Sequence, residues 1–310
     1  MSVRSAYYVT SADKKTLIHV NQWTPLCREI RGVVQIAHGV SEYGARYAPF
    51  ADYLCRNGFV VVANDHLGHG ESCVEGRPMV YLGDENGWNH AVEDMETIRK
   101  ITKQVFPEKP YFLFGHSMGS FLARTHLIQY PGVLDGCVLC GTGHMNPLIV
   151  AAGKLVADRE SKRLGRTAYS ERIDQLAFGM YNKRFAPNRT PFDWLSANEE
   201  NVDAYCNDPL CGGRTTLGLF RDMMDGIGII IDRTNMEKMD KNLPVFFIAG
   251  DQDPVGDMGK GVETAYRCFQ KVGMRDVSCK LYHGLRHEIL NETGRQYIFL
   301  DVLNWLKAHC

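Results

Sequence analysis

The chain has 310 residues, 45% of them hydrophobic, and its 35 basic and 36 acidic residues leave a formal net charge of −1. That length buries a sizeable core, one domain with something added, and the balanced charge offers no field to concentrate nucleic acid or an acidic membrane surface. The 10 cysteines lie scattered through apolar segments, the N-terminal stretch lacks an apolar leader and no apolar run approaches a membrane span, which predicts a soluble protein of the reducing cytoplasm.

Alternation over residues 6–9 and 17–23, with a turn around Asp13, predicts an antiparallel pair at a sheet edge. The apolar run 32–37 ends in His38-Gly39, and a helix is expected over about 46–57, closed by Gly58. Residues 59–63 repeat the strand pattern and run into Asp65-His66-Leu67-Gly68-His69-Gly70-Glu71-Ser72, with a helix over about 88–105 before Pro107. The next strand, 111–114, ends in Gly115-His116-Ser117-Met118-Gly119, after which apolar residues continue at helical spacing. In the strand 136–141, Cys137 and Cys140 form a C-x-x-C, but positions three apart on a strand face opposite ways, so two core thiols are expected rather than a redox pair. Over 144–242 the alternation gives way to helical patterning rich in methionine and aromatic residues, with candidate helices over 150–163, near 172–180 and over 215–226. Strand 243–249, helix 258–272, strand 277–282 and helix 295–308 complete the chain. Strands alternating with helices predict an α/β fold with a mostly parallel, doubly wound sheet, built from residues 1–143 and 243–310, into which 144–242 is inserted as a helical cap.

In such a sheet the carboxyl ends of the strands share one edge, which gathers His38-Gly39-Val40, Asp65, Ser117, Gly141, the turn 250–253 and the loop 284–287. Ser117 sits in Gly-x-Ser-x-Gly on a strand-to-helix turn, whose strained backbone presents the hydroxyl outward. Serine is a weak nucleophile at neutral pH and needs an imidazole to take its proton, with a carboxylate to orient the ring. Of the 11 histidines, His287, in the loop beyond the last strand, best suits the base; His283, which ends that strand, is its rival. The turn Gly250-Asp251-Gln252-Asp253 offers two candidate acids. Met118 N–H, at the start of a helix, and Val40 N–H are placed to serve as oxyanion donors. His66, His69 and Glu71 carry metal-ligand chemistry, but their alternating glycines describe a tight hydrogen-bonded loop and an activated serine requires no ion, so neither metal nor cofactor is expected.

Several stretches together resemble the monoacylglycerol lipases and bacterial lysophospholipases of the α/β-hydrolase superfamily. His38-Gly39-Val40-Ser41-Glu42-Tyr43-Gly44-Ala45-Arg46-Tyr47 is similar to that family's oxyanion loop, with Tyr43 where histidine is frequent. The 65–72 loop, the Ser117 elbow and the stretch Asp203-Ala204-Tyr205-Cys206-Asn207-Asp208-Pro209-Leu210-Cys211-Gly212 also resemble family segments. Gly250-Asp251-Gln252-Asp253 matches the family's G-x-x-D, which implies Asp253 as the acid and the chain order Ser117, Asp253, His287. The resemblance implies an α/β-hydrolase fold of about eight strands with an inserted cap. It also implies a serine hydrolase cleaving carboxylic esters of lipid-like acyl groups, of monoacylglycerol or lysophospholipid type, through an acyl-enzyme. A small-molecule acyl ester is then the expected partner, with transient contact to a membrane surface through the cap. Relatives include carboxylesterases, thioesterases and proline-directed aminopeptidases; the last would need acidic cap residues to hold an ammonium, for which Glu199 and Glu200 are candidates. A non-catalytic ligand binder of the same fold has no use for the whole constellation of serine, histidine, acid and oxyanion loop.

Overall fold

The computed structural model describes residues 2–26, 29–177 and 179–310. Its sheet contains β1 (Ser2–Thr10), β2 (Leu17–Pro25), β3 (Gly32–Ala37), β4 (Phe59–Asn64), β5 (Tyr111–His116), β6 (Gly136–Cys140), β7 (Val245–Gly250) and β8 (Val277–Tyr282), in the spatial order β1-β2-β4-β3-β5-β6-β7-β8. β2 runs antiparallel to both β1 and β4; the remaining pairs are parallel. Helices α1 (Ala48–Arg56), α2 (Gly87–Val105) and α3 (Met118–Gln129) make the first crossovers. Between β6 and β7 the chain forms α4 (Pro147–Leu164), α5 (Glu171–Ala177), α6 (Glu199–Asn207), α7 (Leu217–Ile231) and α8 (Arg233–Met236), and α9 (Lys260–Lys271) and α10 (Gln296–Ala308) close the fold.

β3 to β7 are buried at every position, which is why they read as unbroken apolar runs rather than alternating ones. Successive residues supply opposite faces. Cys137 and Leu139 of β6 pack with the side that carries α2, α3 and α9, while Val138 and Cys140 pack with the side that carries α1 and α10. The C-x-x-C thus divides between two cores. Among the described residues no helix is long and apolar enough to cross a membrane.

Several elements differ from expectation. β1 extends over Ser2–Thr10 because its whole length pairs with β2, from Ser2 opposite Pro25 to Thr10 opposite Leu17, although its polar first residues disguise it. The helix expected over 46–57 is a 3₁₀ turn, Gly44–Tyr47, followed by α1 with a proline in its first turn. α7 begins where the Thr216 hydroxyl caps Leu219 N–H at 3.2 Å and continues through Gly226 and Gly228 to Ile231. The helix expected near 172–180 is α5; Phe178 lies outside the described residues. α6 and α8 are short and carry too few turns to announce themselves by periodicity.

Asp65, just past β4 and fully buried, fastens the loops at the sheet's carboxyl edge. One carboxylate oxygen accepts Gly44 N–H at 2.7 Å; the other accepts Glu71 N–H at 2.9 Å and lies 3.0 Å from His19 Nδ1. The loop after β3, the loop after β4 and strand β2 are therefore held by one side chain. Asp65→Ala leaves the buried Gly44 N–H without its acceptor, at about 1–3 kcal/mol, and releases the Glu71 N–H, and is expected to lower Tm by roughly 2–5 °C in calorimetry. Asp65→Asn, which keeps one acceptor oxygen, should lose less.

Candidate active site

Ser117 follows β5 directly and is the N-cap of α3, with φ 52° and ψ −121°. A non-glycine residue at positive φ is held there by its surroundings. Its N–H donates to Cys140 O at 3.0 Å, and Ser120 Oγ donates to Ser117 O at 2.6 Å. Helix α3 departs so close to β3 that a Cβ on Gly119 would sit 2.1 Å from Ala37 O, so only glycine fits this position. The loop after β3 lies against the same turn: a Cβ on Gly39 would come within 3.1 Å of Ser117 Cβ.

His287 is buried, its Nδ1 2.9 Å from Asp253 Oδ2, and Asp253 is completely buried past β7 with its other oxygen accepting Val255 N–H at 2.9 Å. The imidazole is bracketed by His116, with ring centroids 4.7 Å apart, and by Trp194 from the insertion at 5.2 Å. Burial opposes protonation of His287, but the Asp253 carboxylate, aided by Glu288 and Glu42, outweighs it and raises the ring above its ordinary value. His116 is driven the other way by burial and by His287 itself, and stays neutral. The rival histidine is elsewhere: His283 points into solvent, its side chain 98% exposed, and pairs with Asp251 at 2.8 Å. Two Asp–His pairs thus grow from the same two loops, one buried beside Ser117 and one on the surface.

Met118 N–H belongs to the first turn of α3, where no helix carbonyl reaches it, and the Val40 and Met118 residues border a common cavity with Ser117. The loop carrying Val40 is fixed by a network that sequence spacing does not reveal. Glu42 accepts Gly39 N–H at 2.6 Å and the Tyr47 hydroxyl at 2.8 Å. Arg46 donates to Glu42 at 2.7 Å and, through two nitrogens, to Glu288 at 2.8 and 2.9 Å. Burial and the neighbouring Glu288 raise Glu42 despite Arg46, whereas the two-pronged contact with Arg46 and a bond from Asn201 pull Glu288 down to about 2 against its burial. Glu288 adjoins His287 in sequence, a signal that could have flagged it; Asn201 and Trp194 come from the insertion and carry no local signature. His66 and His69, buried and pressed down to about 3 and about 4 chiefly by desolvation, brace the loop: His38 Nε2 accepts His66 N–H at 2.9 Å and His69 Nδ1 bonds Leu67 O at 2.9 Å. Glu199 and Glu200 lie on the exposed face of α6 and border neither cavity at Ser117.

Those cavities both border the serine, one of about 450 Å³ bounded by His287, Phe192 and Tyr205, the other of about 410 Å³ bounded by Met118, Phe220 and Met223. Val40, Ser117 and Trp194 belong to both.

A doubly wound sheet with a strained serine elbow, and with a buried Asp–His pair from the last two strand ends whose histidine borders the same cavity as that serine, defines an α/β-hydrolase. Residues 28–294 match the family model described as Serine aminopeptidase, S33, and the chain belongs to that hydrolase family. It is similar to the monoacylglycerol lipase of Mycolicibacterium smegmatis, 30% identical over 93% of this chain and 91% of the relative, and to human monoglyceride lipase, 26% identical over 89% and 82%. A thermostable carboxyl esterase from Bacillus coagulans, crystallised with glycerol, superimposes with a TM-score of 0.91 at 30% identity over 99% of both chains.

Asp253→Asn removes the charge that holds the His287 proton while leaving the ring buried. The imidazole pKa should then fall below its ordinary 6.5, as followed by ¹⁵N NMR of labelled histidine; an unchanged value would show that Asp253 does not set it.

Proposed function

We propose that this protein hydrolyses carboxylic esters of lipid-like acyl groups, of the monoacylglycerol or lysophospholipid type, through an acyl-enzyme on Ser117. The observation that carries the reading is the buried His287–Asp253 pair beside a serine held at positive φ; the names of the relatives point to the same chemistry. His287 Nε2 takes the Ser117 proton as Oγ attacks the ester carbonyl, and Asp253 steadies the imidazolium through Nδ1. The developing oxyanion accepts from Val40 N–H and Met118 N–H, the latter at the positive end of α3. The alcohol departs with the proton from His287, which then activates a water to release the acid. Residues 144–242 act as a cap over a site built by 1–143 and 243–310. On that cap Leu148, Ile149 and Leu155 of α4 are 78%, 58% and 64% exposed, an apolar face suited to transient contact with a lipid surface.

Wild-type protein should be labelled covalently by a fluorophosphonate probe and Ser117→Ala should not; Ser117→Ala should also lower kcat by about 10⁵–10⁶-fold. Unlabelled wild type would sink the serine reading. Because catalysis needs neutral His287 and its pKa is raised, the acid limb of the kcat/KM profile should have its midpoint above 6.5, activity falling as pH drops through it. For the lipid contact, Leu148→Ser with Leu155→Ser should reduce co-flotation with phosphatidylcholine vesicles, and equal flotation would remove α4 from that role.

A further inference from the structure

Ser41, one residue past Val40, stands at φ 56°, in the left-handed region that a serine occupies only when its surroundings hold it there. What holds it is the insertion. Ser41 Oγ donates to Gly213 O at 2.7 Å, and Ser41 O accepts both Gly212 N–H and the Tyr205 hydroxyl, each at 3.0 Å. Among the described residues, every hydrogen bond of the Ser41 hydroxyl and carbonyl goes to residues 205–213. Two further contacts set the same segment against the same loop. The Tyr43 hydroxyl donates to Asp208 at 2.8 Å, and the Arg46 guanidinium lies 4.9 Å from the centre of the Tyr205 ring.

Val40 is therefore placed between two different supports. Gly39 N–H is fixed by Glu42, which in turn bonds Arg46 and the buried Tyr47. Ser41 is fixed by the insertion. With Gly39 and Glu42 both anchored, a change of dihedral angle at Ser41 has to be taken up at Val40. An oxyanion donor acts only when it is aimed at the position that the oxyanion will occupy, so a small turn of this peptide costs rate rather than binding.

We infer that the insertion contributes to the oxyanion hole: residues 205–213 hold Ser41 in its left-handed conformation and thereby aim the Val40 N–H. Ser41 and Tyr205 are positioning residues that act through Val40. This rests on the serine-hydrolase reading above. The test compares Ser41→Ala/Tyr205→Phe with Ser41→Gly/Tyr205→Phe on p-nitrophenyl octanoate. Both double variants lose the same two hydrogen bonds and keep an aromatic ring beside Arg46, but alanine resists the left-handed region and glycine does not. The alanine pair should lower kcat by about 10–100-fold, short of the loss of about 10²–10³-fold expected for deleting a donor, with KM within about twofold of wild type. The glycine pair should recover at least about fivefold of that loss. In both, the acid limb of the kcat/KM profile should keep its midpoint, because the His287–Asp253 pair is untouched. Wild-type kcat in the alanine pair, an equal loss in the glycine pair, or a displaced acid limb overturns the proposal. A wild type that neither turns over the ester nor takes up a fluorophosphonate sinks the serine reading instead; a labelled, active wild type with unaffected variants sinks only the role given to the insertion.

Discussion

The backbone of Ser117, at φ 52°, is the constraint on which the rest of the architecture depends. A conformation of this kind costs on the order of 1–3 kcal/mol and persists only where its neighbours over-determine it. Here β6 receives the serine N–H, Ser120 bonds its carbonyl, and the contact of Gly119 with Ala37 O prevents α3 from swinging away from β3. The helix is consequently buried at every position from Met118 to Ile128 and shows no polar stripe. Its integrity depends on packing from both the sheet and α7, and that packing holds the elbow in place.

A second constraint links loops that are distant in sequence. Arg46, between Glu42 and Glu288, joins the loop that carries Val40 to the loop that carries His287. Removing three charged groups from water is expensive unless each is paired and hydrogen-bonded, and here Tyr47, Gly39 and Asn201 supply the remaining partners. The cost is offset only when both loops are in register. The same Glu288 carboxylate adds to the field that favours protonated His287, so the electrostatics of that imidazole and the position of the loop carrying Val40 share one group.

The sheet and its site edge were legible because a parallel sheet imposes them: buried strands must be apolar throughout, and whatever follows their carboxyl ends must meet. Ser117, Val40, Met118, Asp253 and His287 could be named on that basis, with the family resemblance choosing between Asp251 and Asp253. The spacing could not show that Asp251 and His283 form a parallel pair at the surface, since both pairs issue from the same turns and differ only in which way the side chains face. Glu288 and Asn201 were missed for another reason. Their roles exist only in relation to Arg46, more than 150 positions away, and nothing in their immediate sequence encodes that distance. β1 was under-read because an edge strand needs no apolar alternation on its solvent side.

The insertion between β6 and β7 was least legible, yet part of it is bound tightly to the loops that carry Val40 and His287. Leu195 O accepts Glu288 N–H at 2.7 Å, Arg286 bonds Asp193 O and Ser196 O, Ala197 N–H reaches Glu292 at 2.9 Å, and the Tyr205 hydroxyl donates to Ser41 O at 3.0 Å. Segment 193–212 is thereby registered to the loop carrying His287 and the loop carrying Val40 at once, while α4 packs on α7 through buried Val150 and Ala157. Because Trp194 lies against His287 and borders both cavities, the wall between those cavities is positioned by backbone bonds to the loop that carries the imidazole. The segment's sequence therefore carries little pattern: its conformation is dictated by carbonyls and amides finding partners on the core, and those partners accept almost any side chain.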